Sequence, residues 1–270
     1  MSYRLAYPNT AEIEQLIEAK LVARQRHPHL PLWVYNYTPK AQFQPISAWT
    51  PTLCDCRGLI LDEHGEIVAR PFPKFWNYEQ VLDQIPNEPF TVWEKLDGSL
   101  GIVCQYAGER VVATRGSFIS DQAVWAKRWF NRKHASFLPH GDLTYLFEIV
   151  YPENRVVVDY ASRAELILLA VRDPNGIDLW DAFEWEKWFA KARRFDGLSD
   201  FSVINSDPRF AGEEGFVIQW ESGFRAKVKA EEYKRLHRLI TQVSTRSIWE
   251  LLRAGRQVGE LLDRVPKEFA

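Results

Sequence analysis

The stretch Phe90-Thr-Val-Trp-Glu-Lys-Leu-Asp-Gly-Ser-Leu-Gly-Ile-Val-Cys-Gln-Tyr106 joins two apolar runs at one charged turn. Its β-branched and aromatic residues predict strands at 90–95 and 100–106, with Lys95 at the end of the first strand. Asp97-Gly98 follows, and a glycine there permits a tight turn and the close approach of a ligand to the backbone. A lysine at such a strand end is a candidate covalent nucleophile, although the same residues also form plain hairpin turns with a solvated lysine.

Short strand-like runs separated by turn residues continue on both sides of this stretch. They are predicted at 57–61, 67–72, 111–114, 145–150, 166–171, 216–220 and 224–228. Helices are predicted at 9–26 with Asn9 as the cap, at 121–134, 180–194 and 230–240, and at 247–262, whereas the Pro-rich segment 28–51 is expected to be extended and irregular. The pattern predicts an antiparallel α+β domain over residues 1–240 and a short helical C-terminal segment over 241–270.

Composition limits the classes of protein that the chain can belong to. The 270 residues carry a net charge of −2. This value excludes a protein whose whole surface is basic and binds nucleic acid, so any contacts with phosphates must come from local clusters of cations. The three cysteines are an odd number in a chain of this size, so we expect free thiols in a reducing compartment. We see no signal peptide and no membrane-length apolar run, and we therefore expect a cytoplasmic protein that does not contact membranes.

Lys95 has to lose a proton before it can act as a nucleophile. An ordinary lysine amine is almost fully protonated at neutral pH. Burial or neighbouring cations lower the pKa of a lysine, and the segment Arg225-Ala-Lys-Val-Lys229 is a candidate source of such cations.

Four segments resemble, in order, the motifs of the covalent nucleotidyltransferases, which comprise DNA ligases, RNA ligases and mRNA capping enzymes. The segment Lys95-Leu-Asp-Gly-Ser99 resembles motif I, and Phe147-Glu-Ile-Val150 resembles motif III. The segment Glu214-Gly-Phe-Val-Ile218 resembles motif IV, and Lys227-Val-Lys229 resembles motif V. Each segment alone has a plain structural explanation, but four in order on predicted strands favour the enzyme superfamily.

Three features favour one branch of that superfamily. The segments Arg57-Gly-Leu-Ile60 and Pro71-Phe-Pro-Lys-Phe-Trp-Asn77 are similar to those that precede motif I in the RNA ligase 1 family, the phage tRNA-repair ligases. The run from Glu148 to Tyr160 is similar to that family's motif III and its continuation. Lys229 is followed by only 41 of the 270 residues, fewer than the barrel domain that DNA ligases and capping enzymes carry after motif V would need.

The resemblance implies three chemical steps. Lys95 would attack the α-phosphorus of ATP to give lysyl-AMP, the AMP would move to a 5′-phosphate of RNA, and a 3′-hydroxyl would then displace AMP and seal the strand. Negative charge accumulates on phosphate oxygens in every step. The resemblance therefore implies ATP and Mg²⁺ or Mn²⁺ as cofactors, RNA with 5′-phosphate and 3′-hydroxyl ends as partner, and no obligate protein partner.

The resemblance also implies a role for each matching residue. Lys95, Lys227 and Lys229 would be catalytic. The nucleotide-binding set would comprise Arg57, Lys74, Trp76, Asp97, Gly98, Arg115, Glu148, Glu214 and Tyr233, with Glu148 and Glu214 also holding the metal. Arg115 stands where the family has a lysine, and its planar fork differs in geometry from an ammonium. Tyr233 is explained equally well as a core tyrosine on a helix face.

Two alternatives remain open at this point. A capping-type or DNA-sealing transferase would use the same lysine, with label transfer from GTP or sealing of a DNA nick as its signature. A nucleotide- or RNA-binding module without chemistry would not need a nucleophile. The tail after Ser244 retains only the beginning of the helical domain that confers tRNA preference in the phage enzyme, so we expect a broader end-joining specificity.

Overall fold

The computed structural model describes residues 8–179, 188–195, 213–230 and 233–234. Four helices and fourteen strands lie in these ranges. The predicted domain boundary at 240/241 and the predicted helix at 247–262 lie outside the described residues, as does most of the predicted helix at 230–240. Within the described ranges, every helix is too short or too polar to cross a lipid bilayer.

The strands form three sheets, which we name the N-terminal, Glu148 and Lys95 sheets. The N-terminal sheet has the order β1 (Val22–Arg26), β2 (Leu32–Tyr37), β3 (Arg57–Asp62), β4 (Ile67–Ala69). The Glu148 sheet has the order β11 (Ala190–Lys191), β10 (Glu165–Arg172), β9 (Thr144–Val150), β7 (Ser99–Tyr106), β8 (Glu109–Thr114). The Lys95 sheet has the order β12 (Arg194–Phe195), β6 (Phe90–Lys95), β13 (Gly215–Trp220), β14 (Arg225–Lys229), β5 (Trp76–Asn77).

Nearly all strand pairs are antiparallel, and the predicted α+β class is confirmed. Only the short pairs β10–β11 and β14–β5 are parallel in the described part of the chain. Every strand that the sequence predicts is present, and the turns β3–β4, β7–β8 and β13–β14 each contain a glycine with positive φ (Gly65 and Gly108 at 80°, Gly223 at 85°). Glycine adopts that backbone conformation without the steric cost that a side chain imposes.

Two helix predictions are wrong in part. Helix α1 (Thr10–Glu18) begins at the Asn9 cap as expected, but it ends eight residues before the predicted end. Lys20 there has φ of 58°, and the chain enters β1, whose pairing with β2 outweighs the helical periodicity. The predicted helix at 180–194 is contradicted at its end by β11 and β12, while residues 180–187 are not described.

The segment 28–51 is more regular than the sequence indicates. It contains β2, the short helix α2 (Pro39–Gln42) and a turn of 3₁₀ helix, and helix α3 (Pro51–Asp55) follows it. Two of the five prolines in this segment, Pro39 and Pro51, lie at the first turn of α2 and α3, where a missing N–H costs no hydrogen bond.

The stretch 90–106, which contains Lys95, does not form a hairpin. Strand β6 belongs to the Lys95 sheet and β7 belongs to the Glu148 sheet, so Leu96-Asp97-Gly98 carries the chain from one sheet to the other. Leu96 is buried in a small cluster with Val150, Ile167 and Ala192 at this crossing. The interpretation of Lys95 as the lysine of a plain turn is therefore excluded, and the lysine lies where two sheets meet.

Two larger hydrophobic clusters fix the Glu148 sheet on both faces. One face packs on helix α4 (Asp121–Lys133) through Trp129 and Phe130, and the other packs on the N-terminal sheet through Ile102 and Leu146. The outer face of the Lys95 sheet has its own cluster, which includes Phe216, Ile218 and Trp220. Because alternate residues of a strand point to opposite faces, Glu148 and Val217 are left to face the space between the sheets.

A buried ion cluster joins all three sheets at the base of this space. Asp178 Oδ1 accepts a hydrogen bond from Arg172 Nε of β10 at 2.9 Å, and Asp178 Oδ2 contacts Arg225 of β14. Arg172 also donates to the carbonyl oxygens of Arg70 and Pro71, just beyond β4. One aspartate therefore compensates two buried guanidinium groups, and its loss would leave both without a counter-charge.

We predict that Asp178→Asn destabilises the protein strongly. Removing one partner of a buried ion cluster leaves uncompensated charge and costs about 3–5 kcal/mol. Asp159→Asn is the matched control, because Asp159 pairs with Arg155 at the surface and such pairs contribute about 1 kcal/mol or less. Chemical denaturation of both variants measures the difference, and equal midpoints would contradict the role assigned to Asp178.

Candidate active site

A cleft of about 640 Å³ lies between the Lys95 and Glu148 sheets. Eight of the twelve residues that the sequence predicts for the site line it: Arg57, Lys74, Lys95, Gly98, Arg115, Glu148, Lys227 and Lys229. The other four, Trp76, Asp97, Glu214 and Tyr233, do not line the cleft but lie directly behind residues that do. The structure thus brings together motifs that are up to 172 residues apart in the sequence, from Arg57 to Lys229.

The strand register of the Lys95 sheet arranges one wall of the cleft in rows. Lys95, Gly215 and Lys229 are cross-strand partners and form the first row. Trp93, Val217 and Lys227 form the second row, and Thr91, Gln219 and Arg225 form the third. Successive rows are about 7 Å apart, because two residues of a strand separate them.

The first row has a shared carboxylate behind it. Glu214 is buried, and its Oε2 contacts Lys95 Nζ while its Oε1 lies 3.2 Å from Lys229 Nζ. Gly215 is required beside it: a Cβ on this residue, whose φ is 143°, would lie 2.0 Å from the carbonyl oxygen of Val228. Glu214 therefore fixes the distance between two lysines that the sequence predicts to act on the same phosphate.

Lys227 in the second row has a lowered pKa. Burial, reinforced by the nearby cations Lys95, Lys74 and Arg57, lowers the pKa of Lys227 to about 7. Lys227 Nζ also lies 5.9 Å from the ring centre of Phe75. Lys227 is therefore neutral in a large fraction of molecules at neutral pH, and an anionic ligand in the cleft would restore its charge.

Lys74 is held by three aromatic rings. Its Nζ lies 4.2 Å from the ring centre of Trp76, 4.8 Å from that of Trp49 and 5.4 Å from that of Tyr37. Burial is the main cause that lowers the pKa of Lys74. Trp76 thus contacts the lysine rather than the cleft, and the negative faces of the rings stabilise the ammonium group.

Arg57 and Arg115 approach the cleft from the N-terminal side. Burial lowers the pKa of Arg57, whose NH1 donates to the carbonyl oxygen of Phe72 at 3.4 Å. Arg115 NH1 donates to the hydroxyl of Tyr37 at 3.2 Å, and its guanidinium lies 5.1 Å from that ring. Tyr37 therefore positions both Arg115 and Lys74, and nothing in its sequence surroundings predicts this.

Glu148 faces the Lys95 sheet from the opposite wall. Burial raises the pKa of Glu148 to about 8, and the nearby Glu214 carboxylate adds to the rise while Lys95 opposes it. Gly98 allows this approach: a Cβ on Gly98 would lie 2.5 Å from the carbonyl oxygen of Ile149 and 3.2 Å from Glu148 Oε1. Burial of this carboxyl group thus outweighs the positive charge of Lys95 and Arg57, so Glu148 is not fully ionised at neutral pH.

Asp97 points away from the cleft and organises the crossing between sheets. Its Oδ2 accepts hydrogen bonds from the backbone N–H groups of Val157 and Val158 at 2.7 and 2.8 Å. Its Oδ1 accepts from the hydroxyl of Tyr233 at 2.8 Å. These contacts favour the orienting role that the sequence allowed for Asp97, and Tyr233 lies 4.9 Å from Lys229 Nζ as its ring partner.

The cleft lining also includes polar residues to which the sequence assigned no place in the site, among them Tyr37, Ser99, Gln122 and Gln219. Gln219 shares the face of Val217, so the period-2 pattern of the strand could have revealed it. Ser99 and Gln122 both hydrogen-bond Asn154 Oδ1, at 3.1 and 3.2 Å, and this link between distant segments leaves no local sequence signal.

The described residues contain no group of three His, Cys, Asp or Glu side chains that could hold a metal ion alone. Mg²⁺ in proteins is commonly bound by one or two carboxylates together with the phosphates of a substrate. Glu148 fits such a shared site, because its carboxyl group lines the cleft and the cations near it do not offset the rise in its pKa that burial causes. Glu214 already pairs with two lysines, and its predicted role as a metal ligand stays a prediction.

Solved structures share this architecture. A chain described as an ATP-dependent DNA ligase from Aquifex aeolicus superposes with a TM-score of 0.57 at 18% identity, covering 95% of this chain and 70% of that one. An archaeal ATP-dependent RNA ligase superposes with a TM-score of 0.56 at 16% identity, covering 94% and 73%. A Naegleria gruberi RNA ligase variant with ATP and Mn has a TM-score of 0.50 at 18% identity, covering 61% and 56%. The fold is that of the nucleotidyltransferase domain of ATP-dependent ligases.

Sequence comparison identifies the family within the class of ATP-dependent ligases. The profile of the RNA ligase family matches residues 55–233, and the chain belongs to that family, as the motifs indicated. A relative from Autographa californica nuclear polyhedrosis virus, named as a bifunctional polynucleotide kinase/RNA ligase, is 27% identical over 222 residues, which cover 70% of this chain and 31% of the relative. The RNA ligase of Rhodothermus phage RM378 is 26% identical over 166 residues, which cover 44% and 38%. The chain spans about a third of the length of these curated relatives.

We predict that Glu148 makes the stability of the ligand-free protein depend on pH. Its folded-state pKa of about 8 lies above the usual value of 4.5, so the folded protein keeps a proton that the unfolded chain has released. The stabilisation is therefore complete below about pH 4.5 and is lost as the pH rises through about 8. Glu148→Gln removes this loss, and we expect it to melt several degrees above the wild type at pH 9 but close to it near pH 5.

Thermal melting at both pH values measures this effect. Glu153→Gln is the matched control, since Glu153 is exposed and lies five residues away in the chain. If the difference in melting temperature between Glu148→Gln and the wild type is the same at pH 5 and pH 9, Glu148 ionises normally and the burial argument is wrong.

Proposed function

We propose that this chain is the adenylyl-transferring domain of an ATP-dependent RNA ligase, with Lys95 as the nucleophile. The observation that carries the proposal is the meeting of Lys95 and Lys229 in one row, with Glu214 in contact with both, beside four further cations, Arg57, Lys74, Arg115 and Lys227. Family membership supports RNA over DNA as the substrate, since the fold itself is common to both kinds of ligase. We also propose a cytoplasmic location, which the three free cysteines favour.

In the first step, the amine of Lys95 attacks the α-phosphorus of ATP. A P–N bond forms, the bond to the bridging oxygen breaks, and pyrophosphate leaves with the electron pair. The amine must first lose a proton, and the Glu214 carboxylate is the acceptor in contact with it. The cations Arg57, Lys74, Lys227 and Lys229 stabilise the negative charge on the phosphate oxygens.

In the second step, a 5′-phosphate oxygen of RNA attacks the phosphorus bound to Lys95. The P–N bond breaks, AMP passes to the RNA end, and the lysine amine takes up a proton. In the third step, a 3′-hydroxyl attacks the 5′-phosphorus, loses its proton, and displaces AMP as the strand is sealed. Glu148 would hold a divalent metal, which would supply additional positive charge near the phosphates when bound.

Covalent labelling tests the first step. With α-labelled ATP and Mg²⁺ or Mn²⁺, we expect an acid-stable label on the wild-type protein and none above background on Lys95→Ala, because the variant lacks the attacking nitrogen. Lys127→Ala is the matched control, since Lys127 is an exposed lysine of α4 and should leave labelling intact. Label that persists on Lys95→Ala would refute the proposal, and label from GTP instead of ATP would indicate a capping-type transferase.

A sealing assay separates the later steps. RNA that already carries the 5′-adenylate bypasses lysyl-AMP formation, so we expect Lys95→Ala to seal it while failing on 5′-phosphorylated RNA with ATP. Parallel reactions with single-stranded RNA, nicked RNA duplexes and nicked DNA compare the substrates. Preferential sealing of nicked DNA would contradict the proposed RNA ligase function and indicate a DNA ligase.

A further inference from the structure

We propose that the side-chain carbonyl of Gln219 selects ATP over other nucleotides by accepting a hydrogen bond from the 6-amino group of adenine. This inference rests on the nucleotide site proposed above and deepens it. Gln219 belongs to the third row of the Lys95 sheet and lines the cleft. The third row is about 13 Å from the row of Lys95, which is the end of the cleft farthest from the nucleophile.

That end of the cleft suits a base rather than phosphates. Phe72 lies beside this row, with its ring centre 4.5 Å from the Arg225 guanidinium, and Val217 of the second row adjoins it, whereas the ammonium groups of Lys95, Lys227 and Lys229 lie in the first two rows. When the α-phosphate of a nucleotide lies at Lys95, its base must extend away from the triphosphate. An aromatic base gains stabilisation by burial against apolar side chains, and Gln219 is then the polar group at its edge.

The orientation of the Gln219 amide is determined by its neighbour. Gln219 Nε2 donates to Asp178 Oδ2 at 3.0 Å. A carboxylate accepts hydrogen bonds and cannot donate them when ionised, so the amide nitrogen, not the oxygen, faces Asp178. Within the described ranges no group donates to Gln219 Oε1, and this oxygen remains able to accept a hydrogen bond from a ligand.

The chemistry of this acceptor distinguishes the two purines. Adenine carries an amino donor at the ring position where guanine carries a carbonyl acceptor. A guanine base would therefore place two acceptor oxygens opposite each other, whereas adenine completes a hydrogen bond. A site built around such a bond also disfavours an analogue that lacks the donor, because the acceptor is then left unpaired.

Arg225 is the other polar residue of this row that lines the cleft, and as a donor it could favour guanine. Its NH2 contacts Asp178, and its NH1 donates to the carbonyl oxygen of Gly223 at 3.3 Å. Its guanidinium also lies 4.5 Å from the ring centre of Phe72. Asp178 thus engages part of the Arg225 guanidinium and orients the acceptor Gln219, and the orientation of Gln219 is the effect that favours adenine.

Equilibrium binding of three nucleotides tests the inference. ATP, GTP and purine riboside triphosphate, which is ATP without the 6-amino group, are titrated against the wild type and Gln219→Leu. We expect the wild type to bind ATP about tenfold more tightly than purine riboside triphosphate, the effect of one hydrogen bond. Gln219→Leu should abolish this ratio by weakening ATP alone. An unchanged ratio in Gln219→Leu, or a wild-type preference for GTP, would overturn the inference.

Gln122→Leu is the matched control, because Gln122 is the other glutamine that lines the cleft and is held by Asn154 instead of Asp178. It should keep the wild-type ratio of ATP to purine riboside triphosphate. Gln219→Met, which is closer in shape to glutamine, replaces Gln219→Leu if thermal melting shows that the leucine variant is not folded.

The same proteins are also assayed for covalent label, so that the two proposals fail separately. The expected binding ratios without label would refute the nucleophile and leave the role of Gln219 intact. Covalent label together with an unchanged binding ratio in Gln219→Leu would refute the role of Gln219 and leave the nucleophile intact. Failure to bind any of the three nucleotides would overturn both proposals.

Discussion

The contact of one buried carboxylate with two lysines is the interaction on which the rest of the site depends. Glu214 holds Lys95 and Lys229 at fixed positions, although β6 and β14 are separated by β13 and do not pair with each other. Without it, the two ammonium groups at the ends of β6 and β14 would repel each other and turn toward solvent. Burial is the main cause of the lowered pKa of Lys227 and of the raised pKa of Glu148, and Lys95 adds to the first shift while Glu214 adds to the second.

The sheets supply the rigidity that this arrangement requires. Clusters of like charge are costly, and they persist only where the surrounding structure prevents the side chains from separating. Here the side chain of Asp97 anchors the crossing between two sheets to the backbone of Val157, Asp178 joins three sheets, and aromatic rings enclose Lys74. The acidic residues therefore have two kinds of role. Asp97 and Asp178 hold the walls of the cleft together, whereas Glu148 and Glu214 lie beside Lys95, the proposed nucleophile.

The strands and most of the site could be predicted from the sequence, because alternation of apolar residues and the order of the motifs are local signals. Other features depended on contacts between distant segments. The crossing at Leu96 looks like a hairpin until the partners of β6 and β7 are known, and β1 looks helical until its pairing with β2 is known. Tyr37 and Gln219 were missed for the same reason: their importance lies in Lys74, Arg115 and Asp178, which are far away in the chain.

The row arrangement of the Lys95 sheet has a consequence for how such proteins can change during evolution. Side chains alternate between the two faces of a strand, so inserting or deleting a single residue within β13 or β14 would turn every later cleft residue toward the hydrophobic core. The turn at Gly223 can vary in length, but the spacing from Glu214 to Gln219 and from Arg225 to Lys229 cannot. The sequence of β13 and β14 can therefore diverge by substitution but not by insertion or deletion. A new base preference must then arise by exchanging side chains at positions whose register does not change.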